Sequence, residues 1–267
     1  MEAHLSRGPR QGETPVSELE VRIQHAISTD AERGREVVRV GPFVATFTSG
    51  SDNPYLNYAI PETAATPSRA DVEALAAAFG ERSRRPRLEY VPSTAPEVEA
   101  TLIEAGFAVE LRTPLMTYAG SGPLDEPEGI ELLEARDPDA IRGAVTVQHE
   151  AYGEGAPPDE ARLAGIARSI ERGALLVLVR DAVTQEPGGA GQCTAPVDGA
   201  TELTSVGVRP AFRRRGIAQA LTTWLAKTMT ARGADLVFLM AHGEDEARIY
   251  ERAGFTRIGE VLHISRA

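Results

Sequence analysis

The chain has 267 residues, 42% of them hydrophobic and 25% charged, with a formal net charge of -11. That balance suits a globular protein with two cores and excludes collagen-like, disulfide-scaffold and bulk-disordered chains. Cys193 is the only cysteine, which excludes an internal disulfide and a cysteine-rich zinc site, and no apolar run approaches the roughly 18 to 20 residues of a membrane-spanning helix.

The start, MEAHLSRGPRQGET, lacks the apolar centre of a signal peptide, so a cytoplasmic location is expected, with residues 1–14 disordered. VSELEVRIQHAIS has helical apolar spacing, and REVVRVGPFVATFTSG is β-branched and aromatic, hence strand-like. A short strand at YLNYAI precedes a helix that starts at the Ser68 cap in SRADVEALAAAFGER. Strand RLEYV, helix APEVEATLIEAG and strand FAVELRTPLMTY complete a first unit over residues 15–119. Residues 120–129 have the glycine, proline and acidic content of a linker.

The second unit, residues 130–267, opens with strand IELLEA and the helices PDAIRGAVTVQHEAYG and PDEARLAGIARSIERG. Strand ALLVLVRD follows. AGQCTAPV and ATELTSVGV form a hairpin through Asp198-Gly199, and in that strand Cys193 is expected to be an ordinary buried thiol. An arginine-rich loop, helix IAQALTTWLAKTMTARG, strand DLVFLMA, helix EDEARIYERAG and strand FTRIGEVLHI end the chain. The two units echo each other: a helix ending in Ala-Gly-Phe and then a long strand recurs at Phe107 and Phe255, 148 residues apart.

Charge is unevenly placed. From Leu203 through Ala234 there is no carboxylate, while five arginines and Lys227 give six positive charges. The acidic remainder argues against general nucleic-acid binding, so a local anion site is the simpler reading. Within RPAFRRRGIAQAL a strand end, a proline and the start of an amphipathic helix meet. The free N-H groups and dipole of that helix start favour an anion, and Gly216 permits close backbone approach; a pyrophosphate fits. The Walker and GxGxxG patterns are both absent.

These residues resemble the GNAT acetyltransferase superfamily, whose pyrophosphate loop R/Q-x-x-G-x-G/A is met by Arg213, Gly216 and Ala218. The preceding SVGVRP, the following helix and IYERAGF strengthen the resemblance, which covers residues 130–267. The first unit is similar to a degenerate copy, a tandem layout that resembles mycothiol synthase-like acetyltransferases. The resemblance implies an α/β (α+β) fold of two modules, each a mixed, mostly antiparallel sheet flanked by helices. It implies acetyl-CoA as co-substrate with no metal, and a small-molecule or peptide amine as acceptor, with no membrane or nucleic-acid partner. The alternative is a non-catalytic acyl-CoA-binding or regulatory protein. Oligomeric state is left open.

By the same resemblance, the backbone of Val206, Gly207 and Val208 pairs with the pantetheine arm, and the segment Arg213, Arg214, Arg215, Gly216, Ile217, Ala218 and Gln219 holds the pyrophosphate, with at least one arginine merely solvated. Tyr250 donates to the leaving thiolate: a tyrosine near pKa 10 suits a thiol near 8.5. Gly243 replaces an asparagine common in the family. Glu202 accepts the acceptor's proton or binds its ammonium group, and strand alternation places it on the face of Val206. His149 and Glu150 are second-rank candidates for substrate recognition. The first unit has Leu102 at the position equivalent to Tyr250 and no R-x-x-G-x-A loop, so it is expected to bind no CoA.

Overall fold

The computed structural model describes residues 17–120, 122, 124, 127–153 and 157–267. The expected disorder of residues 1–14 lies outside the described residues. In chain order the elements are α1 (Glu18–Glu32), β1 (Glu36–Val40), β2 (Phe43–Phe47), β3 (Tyr58–Pro61), α2 (Arg69–Gly80), β4 (Arg87–Tyr90), α3 (Val98–Glu104) and β5 (Ala108–Tyr118). The second half contributes β6 (Ile130–Glu134), α4 (Pro138–Ala151), α5 (Glu160–Glu171), β7 (Leu175–Asp181), β8 (Pro187–Cys193) and β9 (Ala200–Val208). It ends with α6 (Ile217–Ala231), β10 (Leu236–Met240), α7 (Glu244–Arg252) and β11 (Phe255–Ser265).

All eleven strands form one mixed sheet in the order β1-β2-β3-β4-β11-β5-β10-β9-β8-β7-β6. The halves repeat one scheme, two antiparallel pairings and then a parallel one, in β1 to β4 and again in β7 to β10. Each half then gives its last strand away. β11 lies between β4 and β5, and β5 lies between β11 and β10. The two echoing strands therefore pair with each other, Phe255 opposite Tyr118 at one end and Ser265 opposite Ala108 at the other. Local patterning cannot report this exchange, because the apolar and polar positions of a strand fix which faces it buries and not which strand lies beside it.

The exchanged strands are joined by a buried polar cluster. Arg87 of β4, 1% exposed, donates to Glu89 and Glu110 at 3.1 Å each, and its Nη2 lies 2.7 Å from His263 Nδ1 on β11. Ser265 donates to Glu110 at 2.6 Å. Burying a guanidinium is tolerable only with such partners.

β8 starts at Pro187, three residues before its expected beginning, and ends at Cys193. Its glycines have low strand propensity, but packing decides here. A Cβ on Gly188 would stand 2.2 Å from the Phe212 ring, and one on Gly191 3.0 Å from Leu225, so the loop and α6 lie directly on this strand. Cys193 is buried there, and burial pushes its thiol pKa well up, as suits an inert core thiol. No described helix is long and apolar enough to cross a membrane.

Candidate active site

The site begins where the sheet opens. β9 pairs with β10 only through Ala200, Thr201 and Glu202, while Leu203 to Val208 pair on their other side with β8. One edge of β9 is thus left with backbone groups that no strand satisfies. Pro210 opens a short 3-10 turn through Phe212, and the chain then passes through Arg214 at φ +64° and Gly216 at φ +77° before α6 starts. Gly216 is the N-cap of α6 and offers no side-chain cap, so the first-turn N-H groups have no capping partner.

A cleft of about 470 Å³ spans the open edge and this helix start. Its wall includes residues 206–208, Arg213, Arg214 and residues 216–219, together with Ala151, Tyr152, Phe212, Glu246, Ile249 and Arg252. Most of the residues expected to hold a cofactor are therefore brought together. Arg215 is not: it points to the Glu128 carbonyl at 3.1 Å, with its guanidinium 5.7 Å from the Phe212 ring centre. Arg213 Nε donates to the Val208 carbonyl at 3.0 Å, which ties the loop to the strand end.

The expectation that Glu202 and Val206 share a face is overturned. Gln192 pairs with Thr204 and Ala190 with Gly207, so three steps on β9 match two on β8, with Ser205 at φ +55° as the extra residue. The bulge reverses alternation beyond it. Val206 packs with the core beneath α6, whereas a Cβ on Gly207 would lie 2.6 Å from that of Ala151 on α4. Glu202 lies on the face opposite Val206; its N-H donates to Thr194 Oγ1 at 3.0 Å, next to the Ala195 carbonyl that accepts from Arg33 just past the end of α1 at 2.6 Å. It is partly buried, and burial, with Glu89 and Asp30 adding and Arg35 opposing, pushes its carboxyl up to about 8.

Tyr250 stands on α7 beside Ile249, with its ring edge-on to Phe255 at 6.3 Å, and does not itself form the cleft wall. Burial, then Glu246 and Tyr152, raise its pKa, so the phenol keeps its proton. Glu150 is held by Arg209, which donates to both carboxylate oxygens at 2.6 and 2.9 Å, and the pair lowers the Glu150 pKa. His149 is half-buried on the same helix, while the cleft takes Ala151 and Tyr152 from that helix end.

Two residues of α4 and its end were not expected. Buried Gln148 donates to the Ser205 carbonyl at 3.1 Å and so fixes the bulge, and Tyr152 Oη donates to the Val206 carbonyl at 3.4 Å. Nothing in the spacing of QHEAYG marks them, since their partners are 57 and 54 residues away.

Residues 141–255 match the model of the Acetyltransferase (GNAT) family. The chain carries a GNAT acetyltransferase domain. No curated protein matches the chain in sequence. Among solved structures, a GCN5-related N-acetyltransferase from Kribbella flavida is similar at 24% identity with a TM-score of 0.75, over 92% of this chain and 95% of that one. A GCN5-related N-acetyltransferase from Sphaerobacter thermophilus shares 19% identity and a TM-score of 0.60 over 84% and 76% of the two chains. A tandem GNAT protein from the clavulanic acid biosynthesis pathway shares 13% identity and a TM-score of 0.57 over 84% and 81%. At these identities the likeness shows the fold, which is the mixed α/β architecture expected of a GNAT domain.

The two copies of the loop differ in a way that bears on function. In the first half, the helix that follows β3 is capped from within: Ser68 Oγ accepts from the Asp71 N-H, and Asp71 accepts from the Ser68 N-H at 2.8 Å. A carboxylate already occupies the positive end of α2, where the equivalent end of α6 has none.

Proposed function

We propose that the protein is an acetyl-CoA-dependent N-acetyltransferase whose carboxy-terminal half holds the cofactor and whose reaction proceeds by direct attack within a ternary complex. The observation that carries this reading is the edge of β9 beyond Glu202 that no strand pairs, joined through the short turn at 209–216 to the uncapped start of α6. Such an edge suits the amide-bearing pantetheine arm, which can add to it as a short strand. The uncapped N-H groups of residues 217–219, with Arg213 and Arg214 in the same wall, suit the pyrophosphate. The cleft fits acetyl-CoA on these grounds.

The chemistry follows from the two faces of β9. An amine reaching the splay from the side of Glu202 loses a proton to that carboxylate, directly or through water. Its nitrogen attacks the acetyl carbonyl carbon, a β9 backbone N-H polarises the carbonyl oxygen, and the carbon-sulfur bond breaks. The departing sulfur takes a proton, for which Tyr250, kept protonated by its surroundings, is the donor. The first half, with its loop closed by Asp71, shapes the acceptor side and binds no CoA. We place the protein in the cytoplasm, with a small-molecule or peptide amine as partner.

The test is calorimetric titration with acetyl-CoA, followed by thiol release in the presence of amines. Saturable binding with amine-dependent thiol release is expected. Binding without turnover by any amine favours a regulatory acyl-CoA-binding role, and no binding rejects the site.

A further inference from the structure

Just beyond the end of α1, the first half gathers a second group of polar side chains. Thr46 and Tyr58 are register partners on β2 and β3 and share one face of the sheet. The Arg35 guanidinium lies over the Tyr58 ring, 5.1 Å from its centre, and Nη1 donates to Thr46 Oγ1 at 3.4 Å. Arg35 is half-exposed, and no carboxylate among the described residues forms an ion pair with it.

The neighbouring acids are already engaged: Asp30 by Arg33 at 3.1 Å, and Glu89 by Arg87 at 3.1 Å and His263 at 3.3 Å. Glu202 is the exception, with no side-chain partner among the described residues. The end of α1 is nevertheless held beside Glu202: Arg33 donates to the Ala195 and Pro196 carbonyls at 2.6 and 3.4 Å, the Glu202 N-H donates to Thr194 Oγ1 at 3.0 Å, and the charges of Arg35 and Glu202 both act on the Tyr58 hydroxyl. An unpaired cation and an unpaired carboxyl held near each other without closing into an ion pair leave both ends of a dipolar ligand unsatisfied.

We propose that the acceptor is an amine that also carries a carboxylate, with its amino group at Glu202 and its carboxylate on Arg35 and the Tyr58 hydroxyl. The planar fork of an arginine suits a carboxylate better than a point charge does, and Tyr58, 8% exposed, holds that fork in place from below. The inference rests on the acetyltransferase reading. It gives the first half a role in choosing the substrate, since Arg35 and Tyr58 both belong to it.

The experiment measures acetyl-CoA-dependent thiol release by the full chain with the proteinogenic amino acids and the ω-amino acids of three to six carbons, each beside its primary amide. Removing the carboxylate charge is expected to lower kcat/KM by about tenfold or more for the accepted member. In Arg35→Met that ratio falls toward one through a raised KM, and Arg35→Lys gives an intermediate ratio, while acetyl-CoA affinity stays within about threefold. Amides used as well as the free acids, or an Arg35→Met effect equal on both, overturns the proposal. So does a protein that binds acetyl-CoA and acetylates neither series. Loss of acetyl-CoA binding by the unaltered protein instead removes the acetyltransferase reading beneath it.

Discussion

Replacing Gly216 by glutamate separates the cofactor site from the fold that carries it. Gly216 has φ +77°, and a Cβ there meets only Pro127 Cγ, at 4.0 Å, so the new side chain has room. The backbone cost of an L-residue in the left-handed region is roughly 1–2 kcal/mol. A carboxylate at the start of α6 returns about 0.3–1 kcal/mol through the helix dipole. For a chain of this size the melting temperature is expected to fall by only a few degrees. Binding is a different matter. A carboxylate about 4 Å from one phosphate charge opposes it by about 4 kcal/mol at an effective dielectric constant near 20, which is close to a thousandfold in Kd. Gly216→Ala bears the same backbone cost without the charge, so it isolates the electrostatic part. Calorimetric titration with acetyl-CoA, with a thermal melt of each variant, reads both quantities. If Gly216→Glu melts normally and binds acetyl-CoA within threefold of the unaltered protein, no phosphate sits at this helix start and the reasoning fails.

Tyr250→Phe is expected to lower kcat at least tenfold while leaving acetyl-CoA affinity within about threefold, as fits loss of one proton donor; steady-state kinetics beside calorimetry distinguish this from a packing role, in which kcat stays unchanged. Glu202 must be ionised to take a proton, and its carboxyl is pushed up to about 8, so kcat/KM of the free enzyme rises with pH and levels off near that value. A flat profile from pH 6 to 9 removes Glu202 as the base. The same shift has a consequence for stability: between the ordinary carboxylate range and about 8 the folded state holds a proton that the unfolded state has lost, so this group's contribution falls as pH rises through that window. Glu202→Gln is therefore expected to gain melting temperature relative to the unaltered protein at pH 8.5 and to lose that advantage near pH 4. Arg87→Ala leaves Glu89 and Glu110 partly buried beside an empty site, and a loss of about 3–5 kcal/mol is expected in urea unfolding; a loss under 1 kcal/mol shows that the cluster contributes little to holding the exchanged strands.

The parts of the candidate cofactor site that the sequence shows are local. Gly216, Ala218 and the helix start follow one another along the chain, so their geometry is set by backbone preferences that act over a few residues and are visible in RPAFRRRGIAQAL. The same holds for Ser68 and Asp71, whose spacing marks a capped helix and so a closed counterpart in the first half. What could not be seen in this way depends on distant partners. Alternation put Glu202 and Val206 on one face, because a bulge has no sequence signature of its own here; Gln148, 57 residues from Ser205, helps to fix it. Of the three adjacent arginines, composition gave no ground to single out Arg215, which is turned aside by the Glu128 carbonyl.

The chain's own sequence determined the elements, the uncapped glycine turn before α6 and the half that bears it, because hydrogen bonds and dipoles within one turn of helix decide those features. Tertiary structure alone decided the exchange of β5 and β11 and the face on which Glu202 emerges. The exchange depends on pairings between residues more than a hundred positions apart, and the face of Glu202 on a bulge within the β8–β9 pair; the free energy of such contacts exists only once the sheet is assembled.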